Sequence, residues 1–367
     1  MKSIVIQSNG QPRQAGATDA EGETIRKLKT VSETSLYVFA KAILGWDKFT
    51  PAFHKPLCEQ IQTIPPRRKG FLLPRGHFKT TCAKSLVIHG TIQPADRNIY
   101  IPGVAGTEMR ICYMCKTTDR AASRLRAIRT TYETNELLRA FWPEVVWEDI
   151  ATAKTKWNDE RLLLKRASTF DECTIEQTGT NASITGGHFD WMIKDDLIDI
   201  KDRNEPSTMA SSIDWNHASY SLANDPETVL EWYFGTHWGV ADLYTDVEAI
   251  DPFDPATGEG VRWWKRSVVE NGVPVFPERF SLARIARLKA INEDLFYFNY
   301  MNTIVGSKMQ DFHMAEVRGF VMDQDYVSFT EHEVDPDLKQ LFGDDDDGNK
   351  PARTDAEADF YRRLGRH

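Results

Sequence analysis

One stretch of the chain, Phe71 to Gly90 (FLLPRGHFKTTCAKSLVIHG), constrains the fold more than any other. The apolar run at its start is typical of a buried strand, and Pro74 ends that run. From Lys79 onward, apolar or small residues recur at helical spacing, at Ala83, Leu86, Val87 and Gly90. We therefore predict a strand, a tight turn and a helix, in that order.

The turn and the helix start carry residue types that bind a triphosphate. The first turn of a helix offers free backbone N–H groups and a partial positive charge. Lys79 would reach the β- and γ-phosphates, and the Thr80 hydroxyl would ligate Mg²⁺. The match to the pattern G-x-x-x-x-G-K-[ST] is incomplete, because Leu73 and Phe78 occupy the two glycine positions. A basic loop in front of an ordinary helix is the alternative.

Composition and charge narrow the class of protein. The chain has 367 residues, of which 41% are hydrophobic and 27% charged, as in a soluble globular protein. No run approaches the roughly 18 apolar residues of a membrane span, so we expect none. Five scattered cysteines suit a reducing cytosol. A net charge of −9 argues against a passive DNA-coating protein, but not against an enzyme that touches nucleic acid through one local patch.

Both ends of the chain are polar. Gln11 to Lys29 is expected to be flexible, and Glu331 to His367, with four consecutive aspartates, is expected to be a solvated tail or linker. We therefore divide the chain into a flexible N-terminal segment (1–30), a main domain (31–320) and an acidic tail (321–367).

A segment ahead of the first strand, Lys48 to Ile61, places aromatic residues before a helix that begins near His54. In P-loop proteins a segment in this position often packs on the base of the nucleotide. Phe53 and His54 are the candidates for that contact. Ordinary core packing is the alternative, since an aromatic residue before a helix is usually buried.

The segment Arg110 to Lys116 (RICYMCK) predicts a second buried strand. A zinc or redox site at Cys112 and Cys115 would need a second pair at metal spacing, which the sequence lacks, so we interpret both as core cysteines. The helix predicted next, Thr118 to Thr131, holds the densest group of arginines in the chain. We favour a solvated helix face there over a DNA-contacting one.

A later apolar strand, within Trp191 to Asp199 (WMIKDDLID), ends in two adjacent carboxylates, Asp195 and Asp196. At the carboxyl edge of a parallel sheet such acids lie beside a phosphate-binding turn. The first would hold Mg²⁺, usually through water, and the second would orient the attacking water and accept its proton. A polar turn after a strand is the alternative.

Another strong strand, Thr228 to Thr236, ends in Gly235 and Thr236, whose hydroxyl could sense the γ-phosphate. The remaining elements are predicted from apolar periodicity and a helix cap at Ser281. They are strands at Leu162–Leu164, Cys173–Gln177 and Val261–Val269, and helices at Ser35–Ile43, 240–250 and Ser281–Ile291.

Taken in order, five motifs resemble those of the large terminase subunit of tailed bacteriophages, the ATPase that pumps DNA into the capsid. PRGHFKT looks like the arginine-bearing, deviant Walker A motif of that family, and RAIRTTYETNELLRAFWPE is similar to its post-strand helix. ITGGHFDWMIKDDLID looks like its glycine-rich turn and Walker B motif. GTHWGVADLY is similar to its coupling motif, and FPERFSLARIARLKA followed by FYFNYMN looks like the end of its ATPase region. The resemblance covers about Lys48 to Phe320.

The resemblance implies an α/β P-loop NTPase fold of the ASCE type, with a mainly parallel central sheet flanked by helices. It implies an Mg²⁺-dependent ATPase that translocates double-stranded DNA. Its expected cofactors are ATP and Mg²⁺, and its expected partners are DNA, the portal protein, the terminase small subunit and further copies of the chain in a ring. The expected location is the host cytoplasm and, transiently, the procapsid.

The roles implied for individual residues follow the motifs. The nucleotide would be bound by Arg75, Gly76, His77, Phe78, Lys79, Thr80 and Thr81, with Phe53 and His54 at the adenine. Arg75 would contact the γ-phosphate in cis or communicate its state, and Arg75, Lys79 and Asp196 would be the catalytic residues. Thr80 and Asp195 would hold the metal, and Gly235 and Thr236 would couple hydrolysis to movement.

Three departures from the family pattern matter. Phe78 stands where the family has glycine, and Asp196 stands where it has glutamate. The residues after Phe320 are too few for the family's nuclease domain, so we expect no nuclease activity from this chain. We also expect a monomer when the chain is alone, with a trans-acting arginine supplied by a neighbour in the ring. A helicase-like ATPase and a non-catalytic assembly module with a degenerate P-loop are the alternatives.

Overall fold

A computed structural model of the chain describes residues 19–149, 156–183, 186–303, 320–323 and 326–329. The chain divides into two units, residues 1–309 and 310–367. The acidic segment Glu331 to His367 lies outside the described residues. The domain boundaries inferred from the sequence stay predictions.

A seven-stranded sheet forms the centre of the first unit, with strand order β3-β4-β2-β5-β6-β1-β7. Every neighbouring pair in it is parallel except β3 and β4. A two-stranded sheet, β8 and β9, completes this unit's described strands. The strands are β1 (Arg68–Leu72), β2 (Ile111–Cys115), β3 (Arg161–Leu162), β4 (Ile175–Gly179), β5 (Trp191–Asp195), β6 (Leu230–Gly235), β7 (Arg262–Lys265), β8 (Val269–Glu270) and β9 (Val273–Pro274).

Helices cover both faces of this sheet, so the predicted α/β class with a mainly parallel sheet is confirmed and is consistent with a P-loop NTPase fold. The α-helices are α1 (Asp19–Thr34), α2 (Leu36–Val38), α3 (His54–Gln62), α4 (Lys79–Thr91), α5 (Thr118–Thr134), α6 (Glu136–Phe141), α7 (Ile200–Asn204), α8 (Pro206–Ala218), α9 (Leu243–Ile250), α10 (Leu282–Ile291) and α11 (Glu293–Phe296). A π-helix, Phe39–Ile43, continues α2, and another, Tyr297–Met301, follows α11.

Strand β2 is buried on both faces, which explains its continuous apolar sequence. Along β2, Tyr113 and Cys115 pack into the core on the side of α3, α4 and α5, whereas Cys112 and Met114 pack on the side of α8 and α9. Successive side chains of a strand point to opposite faces. Cys112 and Cys115 therefore lie in separate core clusters, as core residues rather than joint ligands of one metal.

Helix α1 corrects one expectation from the sequence. Residues 19 to 29, which we expected to be part of a flexible segment, belong to this helix. Glu23 forms ion pairs with Arg26 and Lys27 one turn further along, at 3.4 and 3.2 Å. Such pairs at helical spacing stabilise a polar helix surface slightly. None of the helices in the described part of the chain has the length and apolar character needed to cross a bilayer.

The second unit contains two described strands, β10 (Phe320–Asp323) and β11 (Tyr326–Phe329), which pair antiparallel.

In the first unit, the strand order places three strand ends together. Strand β6 lies between β1 and β5, and all three run parallel. Their carboxyl ends therefore meet at one edge of the sheet, where ligands bind in open α/β sheets.

Candidate functional site

The turn between β1 and α4 ends in a residue other than glycine that holds a left-handed backbone conformation. Phe78, the residue before the helix, adopts the left-handed conformation with φ 59°. That conformation is uncommon for a residue other than glycine. The Phe78 ring packs against Phe276 at 5.9 Å and under the Arg279 guanidinium at 4.8 Å, which holds the strained backbone in place.

Gly76 is the glycine that this turn does require. Its φ is 79°, and a Cβ atom there would lie 2.9 Å from Cζ of Phe280. The neighbouring Arg75 donates its backbone N–H to the carbonyl of Asn299 at 2.9 Å. The turn is thus tied to a segment far along the chain, and the side chain of Arg75 remains exposed.

Two contacts join the start of α4 to the end of β5. The Lys79 ammonium lies 2.9 Å from Oδ1 of Asp196. The Thr80 hydroxyl donates to Oδ1 of Asp195 at 3.1 Å. The structure therefore brings together the lysine, threonine and two carboxylates that the sequence assigned to one site. Thr81, the next residue of the helix, is half-buried.

Asp195 is completely buried, and Tyr113 is its closest uncharged partner. The phenol of Tyr113 donates to Oδ2 of Asp195 at 2.9 Å, and Nε of Arg124 lies 3.7 Å from the same oxygen. Burial and the nearby Asp196 charge raise the pKa of Asp195 to about 6, while Lys79, Tyr113 and Arg124 act to lower that pKa. A cation placed beside a buried carboxylate of this kind would stabilise its charged form.

Asp196 lies at the point where the chain leaves β5. Its φ is 51°, in the left-handed region, where aspartate and asparagine are enriched several-fold among non-glycine residues. Its backbone N–H donates to the carbonyl of Phe234 at 2.9 Å, and its own carbonyl accepts from the backbone N–H of Lys116 at 3.1 Å. These bonds to β6 and to the end of β2 hold its carboxylate at the sheet edge.

The end of β6 touches the start of the phosphate-binding turn. The Thr236 hydroxyl donates to the carbonyl of Leu73 at 3.2 Å. At Gly235 an added Cβ atom would overlap the ring of Tyr244 on α9, so only glycine allows that helix to approach. Thr236 thus links the end of β6 to the turn. Its role in coupling hydrolysis to movement stays a prediction.

An open cleft of about 430 Å³ lies above the two carboxylates. The Arg75 guanidinium lies over the ring of Trp238 at 4.4 Å. The charged and aromatic side chains that line the cleft are Arg75, Arg120, Arg124, Asp195, Asp196, Asp199 and Trp238. Cations thus surround the acids, as a site for a polyanion with a metal ion requires.

Sequence reasoning missed the part that α5 plays. We expected its arginines to lie on a solvated face. Instead Arg120 pairs with Asp199 at 2.8 Å and Arg124 approaches Asp195, whereas Arg126 and Arg129 both pair with Asp159. Residues four apart share a helix face, so the spacing of Arg120 and Arg124 was a usable signal. Tyr113 and Trp238 carried no such signal in the sequence.

Three predicted nucleotide contacts are buried instead. Phe53, His54 and His77 are each 0% exposed and pack with one another and with Phe276. Burial lowers the pKa of His54 to about 3 and that of His77 to about 4, so both rings are neutral at pH 7. As arranged here, all three side chains are core residues, which is the alternative that the sequence left open for Phe53 and His54.

Comparison with known proteins gives little beyond the geometry. No family model and no curated protein matches the chain. Among solved structures, the chain is similar to a point mutant of the large terminase ATPase domain of Thermus phage P74-26. The identity is 14%, the match covers 71% of this chain and 95% of that chain, and the TM-score is 0.41. Similarity of this degree carries no functional argument.

Proposed function

We propose that this chain is an Mg²⁺-dependent ATPase, the motor subunit of a phage terminase. The observation that carries the proposal is the double contact between α4 and β5. Lys79 meets Asp196 at 2.9 Å, and Thr80 meets Asp195 at 3.1 Å. A lysine and a hydroxyl at a helix N-terminus, facing two acids at the carboxyl edge of a parallel sheet, are the parts of a nucleoside-triphosphate hydrolase.

The residues present fit Mg²⁺. Mg²⁺ is bound through one or two carboxylates together with waters and substrate phosphates, rather than by a cage of side chains. The buried carboxylate of Asp195 and the hydroxyl of Thr80 would hold it. Bound there, the metal would neutralise charge that develops on the phosphates.

The side chains divide the remaining work. Lys79 and the N–H groups at the start of α4 bind the phosphates. Asp196, whose carboxylate is partly exposed in the cleft, orients the attacking water and accepts its proton. Arg75, exposed at the cleft rim, contacts the terminal phosphate, and Thr236 passes a change at the site to the turn through Leu73.

The alternative of a degenerate, non-catalytic P-loop is weakened by the conformation of Phe78. This residue was one of two sequence features favouring the alternative. Because its backbone has φ 59°, the turn keeps the shape that glycine would allow, and α4 still begins at Lys79. The second feature, Asp196 in place of glutamate, keeps its carboxylate within 2.9 Å of the lysine.

The finer proposal, translocation of double-stranded DNA into a procapsid, rests on the order of the five sequence motifs. It includes a ring of copies on the portal, the small subunit as partner, and the host cytoplasm as location. An ATPase that moves along duplex DNA should release phosphate faster when duplex DNA is present.

Phosphate release with and without Mg²⁺ and duplex DNA tests the proposal directly. We expect Mg²⁺-dependent hydrolysis that duplex DNA stimulates and that Lys79→Ala abolishes. No hydrolysis under any of these conditions, with the protein folded, would favour the assembly module. Unwinding of a tailed duplex would favour the helicase-like ATPase.

A further inference from the structure

Helix α5 directs two arginines to the cleft above the carboxylates. The Arg124 Nε atom is buried and has no hydrogen-bond acceptor among the described residues, although it lies 3.7 Å from Oδ2 of Asp195. Arg120, one turn earlier, lines the same cleft and pairs with Asp199 at 2.8 Å. The Arg120 side chain is 47% exposed, so that ion pair is weak and can be exchanged for another anion.

The cleft lining carries three arginines and three carboxylates, and Lys79 adds a further cation beside Asp196. Near the cleft, the described cations Lys79, Arg75, Arg120 and Arg124 face three carboxylates, Asp195, Asp196 and Asp199. Burial and the nearby Arg124 guanidinium also lower the pKa of Lys84, while Asp195 opposes that shift. The buried Nε donor of Arg124, which has no hydrogen-bond acceptor among the described residues, is therefore available to a further anion at this cleft.

We infer that Arg120 and Arg124 form a phosphate clamp that binds the terminal phosphate of the nucleotide from within the same subunit. The inference rests on the proposed function, because it takes the contacts of Lys79 and Thr80 as the nucleotide site. Arg124 adjoins the carboxylate assigned to the metal, and Arg120 lies one helical turn away. Guanidinium groups bind phosphate oxygens through paired, charge-assisted hydrogen bonds, which suits them to this role.

The position of α5 explains why no neighbouring subunit is needed for this contact. The helix follows β2 directly, and β2 pairs in parallel with β5, the strand that carries the two acids. Arg120 and Arg124 therefore reach the site across one strand spacing. Arg129, Arg139 and Arg203 are the candidates for a trans-acting arginine. Arg129 and Arg139 are bound within their own chain, to Asp159 and to the carbonyl of Trp147, and Arg203 lies over the ring of Phe298.

Nucleotide binding tests the clamp separately from hydrolysis. The affinities of a non-hydrolysable ATP analogue and of ADP, both with Mg²⁺, are measured for the wild type, Arg120→Gln, Arg124→Gln and the double variant. Each single variant should bind the analogue about 10-fold or more weakly, since a hydrogen bond to a charged group is worth at least that factor. ADP, which has no terminal phosphate to contact, should bind almost unchanged.

Arg126→Gln is the matched control, because it removes the same charge from the same helix. Arg126 pairs with Asp159 and does not line the cleft, so both affinities should stay at the wild-type values. Thermal unfolding establishes that each variant folds. If Arg124→Gln fails to fold, Arg120→Gln and Arg124→Lys still test the clamp. Arg124→Lys keeps the charge but not the paired hydrogen bonds, so it should lose part of the preference for the analogue over ADP.

Three results would count against the clamp. Equal losses for ADP and the analogue would mean that the arginines act through Asp195 or through stability. Unchanged discrimination in the double variant would overturn the clamp alone, whereas a wild type that binds neither nucleotide would overturn the proposed function as well. Finally, Arg124→Gln mixed with Lys79→Ala subunits should not regain activity; recovery would show that the arginine acts on a neighbour.

Discussion

The ammonium group of Lys79 lies 2.9 Å from Oδ1 of Asp196, so the phosphate-binding lysine and the general base of the proposed mechanism form an ion pair. The Lys79 side chain is 11% exposed and that of Asp196 is 31% exposed. A phosphate bound by Lys79 would compete with Asp196 for the ammonium group, so we expect nucleotide binding to weaken this ion pair.

The first prediction concerns the lysine of that pair. Lys79→Ala should abolish phosphate release, because no other residue at the start of α4 supplies the charge. The fold should remain, since the lysine faces the site and not the core. Phosphate release and thermal unfolding together check both statements. Normal turnover in a folded Lys79→Ala protein would refute the site.

The two carboxylates should behave differently when changed. Asp195→Ala should weaken Mg²⁺-dependent nucleotide binding, because it removes the buried oxygen beside Thr80. Asp196→Asn should retain binding and lose about 10² or more in kcat, the usual contribution of a general base. Binding and single-turnover measurements on both variants separate the roles. Identical behaviour would show that the division is wrong.

The backbone at Asp196 adds a prediction about glutamate. Because φ is 51° there, asparagine suits the position, whereas glutamate is strained. Asp196→Glu restores the residue type of the family that the motifs resemble. We nevertheless expect its thermal midpoint to lie below those of the wild type and Asp196→Asn. A glutamate variant as stable as the wild type would contradict this.

The loss of nucleotide binding at acid pH should follow the protonation of Asp195. Since the pKa of this carboxyl is raised to about 6, Mg²⁺-dependent binding should be lost as the pH falls through about 6. Asp196→Asn removes a like charge and should move the midpoint down, whereas Tyr113→Phe removes a hydrogen bond that lowers this pKa and should move it up. Binding of a fluorescent ADP at a series of pH values measures these shifts. Shifts in the same direction would exclude Asp195 as the titrating group.

The same raised pKa has an opposite consequence for stability. Between the ordinary value of 3.8 and about 6, the folded protein binds the proton and the unfolded chain does not. In the absence of Mg²⁺, this group alone therefore raises the free energy of unfolding as the pH falls through about 6. Asp195→Asn should remove that contribution, which denaturant unfolding at pH 5 and pH 7 can detect.

Thr236 provides a test of coupling. Thr236→Val keeps the shape of the side chain and removes the hydrogen bond to the carbonyl of Leu73. We expect nucleotide binding to be retained and DNA-stimulated hydrolysis to fall by several-fold, since a neutral hydrogen bond is worth about 1 kcal/mol. Thr236→Ser, which keeps the hydroxyl, is the control and should retain most of the stimulation.

The last prediction concerns assembly. We expect a mainly monomeric protein with weak ATPase activity that rises steeply with protein concentration, because a trans-acting arginine other than Arg120 and Arg124 can add about 10³ to 10⁵ in rate. Sedimentation beside a concentration series of phosphate release checks this. Constant specific activity in a strict monomer would rule out the trans arginine.

Much of the secondary structure could be predicted from local sequence. Apolar runs identified β2, β5 and β6 to within two residues at either end, apart from the four residues 196–199 that follow β5 in the predicted segment. The cap at Ser281 placed the start of α10, where its side chain accepts from the backbone N–H of Arg284. These signals are local, because alternation, helical period and caps are determined by neighbours in the chain.

Long-range packing decided what the sequence could not. For Phe53 and His54 the sequence left open an adenine contact, although core packing is the commoner fate of such residues. Their burial depends on distant rings, those of His77 in the turn and of Phe276. The insertion of β6 between β1 and β5 was likewise invisible in the sequence, since strand order depends on pairing between distant segments.

By itself the sequence determined which residues have the chemistry of a nucleotide site: a lysine and a threonine at a helix start, and two acids at a strand end. Only the tertiary structure decided which of them meet, and it added Tyr113, Arg120 and Arg124 to the site. The reason is physical. A residue's type is given by the chain, but its partners depend on how separate strands align at one edge of the sheet, where the carboxyl ends of β1, β5 and β6 converge.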